Sequence, residues 1–441
     1  MIPDPHSPWA SIHRVIRKGE TIRRYGRVNQ VIGLVIEATG PMAAIGDMCH
    51  ILSPGKKGPV PAEVVGFRDE KLLLMPLGEV AGIQPGCRIV PLGFPAQAPA
   101  GEGLLGRVLD AMGDPADQGG PVAKQKEVPL YAAPPSPVLR QRIHQPIDVG
   151  VKAINALLTI GKGQRMAVFS GSGVGKSTLL GMMARHTTAE VSVIALIGER
   201  GREVREFIER DLGEEGLRRS VVVVATSDQH PLLRMRGAYL ATALAEYFRD
   251  QGKDVLLMMD SITRFAMSSR EVGLAIGEPP TAKGYTPSVF SQLPKLLERA
   301  GTTPHRGSIT GIYTVLVEGD DLMDPVADAI RSIADGHIVL ARNLANQGHY
   351  PPIDVLESIS RVMNDIVTPE QAAARSKLVS VLATYRRSED LINIGAYVAG
   401  TNPQIDYAIK KMPEINSFLR QGAAERIGLA ESLARLRAIV G

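Results

Sequence analysis

The sequence predicts three successive parts: a small N-terminal β-barrel, a central doubly wound α/β core with a phosphate loop, and a helical C-terminal domain. Three observations predict this. Short apolar runs broken by Gly and Pro fill residues 21–92. Longer, unbroken apolar runs alternate with helical stretches over residues 141–364. From 365 to 441 the pattern turns helical and no long strand is visible. Short strands with frequent turn signals suit a barrel or sandwich. Unbroken apolar strands suit a sheet covered on both faces.

Residues 1–20 read as a short N-terminal arm, with Ser11–Lys18 suited to a brief amphipathic helix or to no fixed structure. In 21–92 the expected strands are QVIGLVIEA, GDMCHIL, PAEVVGF, EKLLLMPL and GCRIVPL, separated by ATGP, PGKKGP and QPG. The barrel loops lack the aromatics and arginines of an oligonucleotide binder, so a scaffold role is expected. Residues 93–140 are rich in Gly and Pro and read as a connector lying over the core, with the apolar LLGRVLDAMG packed down. Core strands are expected at 165–169, 191–198, 220–226, 254–260, 308–317 and 336–341, with helices at 177–186, 201–212 and 231–250. Pro231 suits the first turn of the last helix. In the C-terminal part, helices are expected at 369–385, 413–418 and 425–439.

Composition excludes several classes. The 441 residues are 44% hydrophobic and 22% charged, as in an ordinary globular protein. Aromatics are only 4%, the net charge is +4 and the basic residues are scattered, so a nucleic-acid partner is not expected. No apolar run approaches the ~18 residues of a membrane span, and the N-terminus lacks an apolar signal-peptide region. The two cysteines, Cys49 and Cys87, have no metal-ligand spacing and read as reduced core residues of a cytoplasmic protein.

The chemistry is carried by SGSGVGKST at 170–178, directly after the apolar MAVF. Gly171, Gly173 and Gly175 let the backbone curl so that successive amides face phosphate oxygens, with Ser172 and Val174 between them. Lys176 is placed to reach the β- and γ-phosphates. Ser177, followed by Thr178, supplies a hydroxyl to magnesium. Ser170 stands where the strict pattern has Gly, at the loop entrance. Asp260 closes the apolar strand LLMMD and suits the magnesium shell, or else a helix cap. Glu199 ends the strand before IGERGREV, at the carboxyl edge where ligands sit, and suits a water-orienting base or a surface ion pair. Arg200, Arg264 and Arg361 are each either solvent-facing or a bridge across phosphoryl oxygens. Tyr350, before a Pro-Pro turn, suits stacking on a base or plain core packing.

Read together, these segments resemble the flagellar type III protein-export ATPases, which are related to the catalytic subunits of rotary ATP synthases. The resemblance runs from about Arg23 to near the C-terminus. It rests on RRYGRV, GLVIEATG, GVKAINALLTIGKGQRM, GSGVGKSTLLGMMAR, LIGERGREVREF, PLLRMRGAYLATALAEYFRDQGKDVLLMMDSITRFA, TVLVEGDDLMDPVAD and HYPPIDVLESISRVM, among others. It implies a β-barrel, a RecA-like core and a helical C-terminal domain. It implies ATP and Mg2+, with Lys176 and Ser177 in the phosphate loop, Glu199 activating water, Arg200 at the phosphate site and Asp260 as the acidic strand-end residue. Arg361 would be an arginine finger serving a neighbour's site, and Tyr350 the adenine-stacking aromatic.

The implied assembly is a homohexamer at the cytoplasmic face of the inner membrane. Its partners would be a stator-like regulatory protein, a coiled-coil stalk-like protein, export chaperones with cargo, and a membrane export gate. The segment YRRSEDLINIGAYVAGTNPQIDYAIKKMPEINSFLRQG leans towards the flagellar branch. An injectisome ATPase and a rotary synthase catalytic subunit are the alternatives within the superfamily. A nucleic-acid motor and a non-catalytic nucleotide-binding subunit are those outside it.

Overall fold

Short strands with buried apolar residues close residues 26–95 into a six-stranded antiparallel barrel. Its strands are Gly26–Ile32 (β1), Val35–Thr39 (β2), Asp47–Leu52 (β3), Val60–Arg68 (β4), Lys71–Pro76 (β5) and Arg88–Pro95 (β6). The ring order is β1-β2-β5-β4-β3-β6, and β6 closes on β1 through Gly26 and Ile89. Ile36, Ile51, Val64, Leu74 and Ile89 fill its interior with no exposure. QVIGLVIEA, expected as one strand, is a hairpin. Gly33 takes φ +55 and turns the chain between β1 and β2, a conformation glycine adopts without cost. Cys49 and Cys87 are both buried and free.

The computed structural model describes residues 24–55, 58–317, 319, 321 and 323–440; the arm expected over residues 1–20 lies outside them. The chain divides into two compact units, residues 1–96 and 97–441.

In the second unit a sheet is built from Val108–Asp110 (β7), Arg165–Ser170 (β8), Val191–Ile197 (β9), Ser220–Ala225 (β10), Asp254–Asp260 (β11), Ser308–Leu316 (β12), Gly336–Leu340 (β13) and Ile353–Ser360 (β14). The order is β14-β13-β8-β12-β11-β9-β10-β7. The strands from β13 to β7 run parallel, while β14 pairs antiparallel with β13 and the short Gly301–Thr302 segment pairs antiparallel with β12. All seven residues of β9 are buried, as a sheet covered on both faces requires. The Gly/Pro-rich connector does more than lie over the core, because β7 adds its edge strand beside β10. Strand β14 is a further element that the apolar pattern did not single out.

Helices Lys176–His186 (α1), Gly201–Glu206 (α2), Pro231–Asp250 (α3) and Ile262–Ile276 (α4) follow β8, β9, β10 and β11. The helix expected over 201–212 continues past α2 as a π-helical turn, Phe207–Leu212. The chain ends in Pro369–Asn393 (α5), Pro403–Leu419 (α6) and Leu429–Val440 (α7). Proline opens α3, α5 and α6, where a missing N–H costs nothing. Thr368 and Asn402 cap α5 and α6 by accepting from Gln371 and Gln404.

One buried ion pair fastens α3 to the segment before β12. Arg299 is 1% exposed and grips both carboxylate oxygens of Glu246, at 3.0 and 2.5 Å, while also donating to Leu130 O at 2.8 Å. Glu246→Ala would leave a guanidinium buried without its counter-charge, and the expected loss is about 3–5 kcal/mol. Urea unfolding checks this, and Arg299→Met in the same chain should recover much of the loss.

Candidate active site

The phosphate loop spans the turn from β8 to α1. Gly173 and Gly175 take φ +74 and +100, which only glycine tolerates freely. A Cβ on Gly173 would meet nothing within 4 Å, so the hollow above the loop is open. The first helical bond of α1 is Leu179 N–H to Gly175 O. The amides of Lys176, Ser177 and Thr178 therefore precede the helical bonding pattern and are available to an anion.

Three strand ends converge on Lys176. Its Nζ lies 3.3 Å from Glu199 Oε1, just past β9, and contacts Asp260 Oδ1 at the end of β11. Asp260 is 2% exposed and also accepts from Thr314 Oγ1 of β12 at 2.8 Å. Burial pulls the Lys176 ammonium down, but Asp260 and Glu199 more than offset it and its pKa is raised. Burial also pushes Glu199 up, to about 7; Lys176 opposes this, while Asp260 and a hydrogen bond with Glu203 add to it.

Gly198, at φ +73, lets α4 approach Glu199. A Cβ there would fall 2.8 Å from Arg264 Cβ. The Arg264 side chain thus packs on Gly198, the residue before Glu199, and its Nε is buried with no hydrogen-bond partner. An open glycine cradle, a lysine between two carboxylates and an unsatisfied buried guanidinium nitrogen fit a phosphate chain with a divalent cation. Among the described residues no group of three or more His, Cys, Asp or Glu could hold a metal alone. The donor set suits a cation shared with phosphate oxygens.

The other expected residues divide. The Tyr350 ring lies beside the loop, 3.7 Å from where a Gly175 Cβ would be. Arg200 stays outside the Lys176 cluster; it is exposed, and its guanidinium lies 3.9 Å from Glu203. Arg361 is farther away. Its N–H donates to Asp335 O, and Asp335 N–H donates to Arg165 O, at the start of β8. The phosphate loop leaves the other end of β8, so about 17 Å of strand separates the two. Thr314, which holds Asp260, and Arg342, which donates to Ser172 O at 3.2 Å, were not singled out from the sequence. Thr314 left a signal, as a buried polar residue inside an apolar strand.

Comparison with known proteins places this geometry. The ATP synthase alpha/beta family matches twice, its nucleotide-binding domain over residues 150–360 and its β-barrel domain over 28–93. The T3SS EscN ATPase C-terminal domain matches residues 367–438. The flagellum-specific ATP synthase of Bacillus subtilis (strain 168) is 54% identical over 97% of each chain. The type 3 secretion system ATPase of Xanthomonas euvesicatoria is 49% identical over 90% of each. The chain belongs to the flagellar and injectisome family of type III export ATPases.

The solved structure of the assembled ATPase EscN from the enteropathogenic E. coli type III secretion system superposes with a TM-score of 0.89. Identity is 46%, covering 94% of this chain and all of that one. EscN has also been solved with its central stalk EscO, with a TM-score of 0.87 to this chain. The export ATPase described here is thus a P-loop enzyme with a β-barrel, a RecA-like core and a helical C-terminal region, using ATP and Mg2+ as its family does. Its general function is protein export of the type III kind, coupled to ATP hydrolysis. Among the described residues no helix is long and apolar enough to cross a membrane.

Proposed function

We propose that this ATPase forms a homohexameric ring at the cytoplasmic face of an export gate, with ATP at each interface, and unloads chaperone–cargo complexes there. The observation that carries its ATP hydrolysis is the convergence of Lys176, Glu199 and Asp260 at the mouth of the phosphate loop. Glu199 takes the proton of the water whose oxygen attacks the γ-phosphorus, as ADP departs with the bridging oxygen. Lys176 and Arg264 bear on the transferring oxygens, and Arg200 can join them by swinging away from Glu203. Mg2+, held by Ser177 and, through water, by Asp260, would neutralise charge between the phosphates when bound. Tyr350 stacks on the adenine. Arg361 completes a neighbour's site.

The ring reading draws support from Arg361, which lies too far along its own sheet to serve its own loop, and from the assembled state of EscN. A coiled-coil stalk is proposed by analogy with EscO in complex with EscN. A stator-like regulatory protein, the chaperones and the gate complete the proposed partners. The C-terminal domain match and the EscN structures favour an injectisome role over the flagellar one, while the curated relatives carry both names. Deleting the gene separates them, since flagellar export would cost the filament and injectisome export would cost effector secretion.

The first test is Mg-dependent ATP hydrolysis by the purified chain across protein concentration, with mass measured in parallel. Turnover should rise cooperatively as hexamers form. Full activity in isolated monomers would refute the shared site. Inactive clean monomers at every concentration would instead point to a missing sister subunit, as in a rotary synthase.

A further inference from the structure

Gln421 follows α6 and is 5% exposed, yet the chemistry above makes no use of it. It forms a complete hydrogen-bond hub. Its backbone N–H donates to Tyr350 O at 2.9 Å. Its side-chain Oε1 accepts from Lys152 N–H at 2.9 Å, and Nε2 donates to Gly150 O at 2.7 Å and Glu425 O at 2.9 Å. One residue thus ties together the lead-in to the core, the end of the helical region and the peptide that carries the Tyr350 ring. Gln421 and Tyr350 also share the wall of an open hollow of about 450 Å³, with Lys152 and Arg420 beside them.

We propose that Gln421 is the positioning residue for Tyr350, setting the ring's place over the phosphate loop and so the affinity for the nucleobase. This rests on the reading that Tyr350 stacks on the base. A glutamine suits the task because its side chain can accept from Lys152 N–H and donate to Gly150 O in one backbone segment while donating to Glu425 O in another. With the side chain fixed by three hydrogen bonds, its own N–H holds Tyr350 O at a constant height. The rigid Pro351–Pro352 pair after Tyr350 leaves that carbonyl as the handle on the ring. Any shift of the end of α6 then reaches the base through a single peptide.

The test compares ADP and pyrophosphate, which lacks a base, on the full-length chain. Gln421→Met should weaken ADP binding about tenfold, the size of a lost base–aromatic stack, and leave pyrophosphate binding unchanged. Tyr350→Ala should do the same, and the double variant should be no weaker than either alone. Gln421→Asn, which keeps the amide but draws it back by one methylene, should show the same ADP-selective loss and serves if the Met variant fails to fold. Equal weakening of ADP and pyrophosphate, additive losses in the double variant, or unchanged ADP affinity in folded Gln421 variants would overturn the proposal. Unchanged ADP affinity in Tyr350→Ala would instead remove the stacking reading on which it rests.

Discussion

Arg361→Ala should lower ATP turnover by about 10³–10⁵, the contribution of an arginine finger, while a single chain binds nucleotide as before. The argument is topological. Strand β14 runs antiparallel to β13, pairing Leu340 with Ile353 at one end and Gly336 with Ser360 at the other. It therefore carries the chain from the phosphate-loop edge, where Tyr350 sits, to the opposite edge, where Arg361 emerges exposed. There its guanidinium donates to Arg331 O at 3.2 Å, and among the described residues no carboxylate holds it. A cation at that edge can act on phosphate only if a second copy presents its own loop to it.

Mixing makes the idea specific. Arg361→Ala rings and Lys176→Ala rings should each be inactive. Co-assembled at equal amounts, they should regain activity, because roughly a quarter of randomly formed head-to-tail interfaces join an intact Lys176 to an intact Arg361. A mixture as inactive as its parts, although mixed rings form, would rule out a shared site.

The contrast between Arg361 and the phosphate loop shows what a sequence can and cannot display. The loop is local: three glycines, a lysine and a serine, with the strand before them and the helix after, lie within one short stretch of chain. Asp260 and Glu199 are legible at one remove, because parallel strands place their carboxyl ends on one edge. Arg361 depends on the direction of β14, a strand whose pattern, IDVLESIS, is too mixed to stand out. Its local sequence leaves it open between a solvent-facing cation and a phosphoryl bridge, and only the family resemblance implies an arginine finger. The edge strand β7 has three residues inside a Gly/Pro-rich stretch, so periodicity had nothing to work on. Thr314 and Gln421 act through residues 54 and 71 positions away, Asp260 and Tyr350, and no local pattern records such a contact.

Glu199→Gln should lower kcat by about 10²–10⁴, the range for losing a general base, and leave nucleotide affinity within a few-fold. The amide keeps the size of the carboxylate but accepts no proton from water. The pH profile then distinguishes a base from a group that merely holds Lys176. Burial has pushed Glu199 up to about 7. Below that pH the carboxyl is protonated and cannot take a second proton, so kcat/KM should fall as pH falls through about 7 and level off above it. In Glu199→Gln that limb should vanish as the plateau drops.

Glu203 supplies the internal control. Its hydrogen bond and its charge both hold Glu199 up, and its own carboxyl is held below the usual range chiefly by the same hydrogen bond. Glu203→Gln removes the like charge, makes the Glu199 carboxylate easier to form and should move the limb to lower pH without abolishing turnover. A limb that survives in Glu199→Gln would assign the titration, and with it the base, to another group.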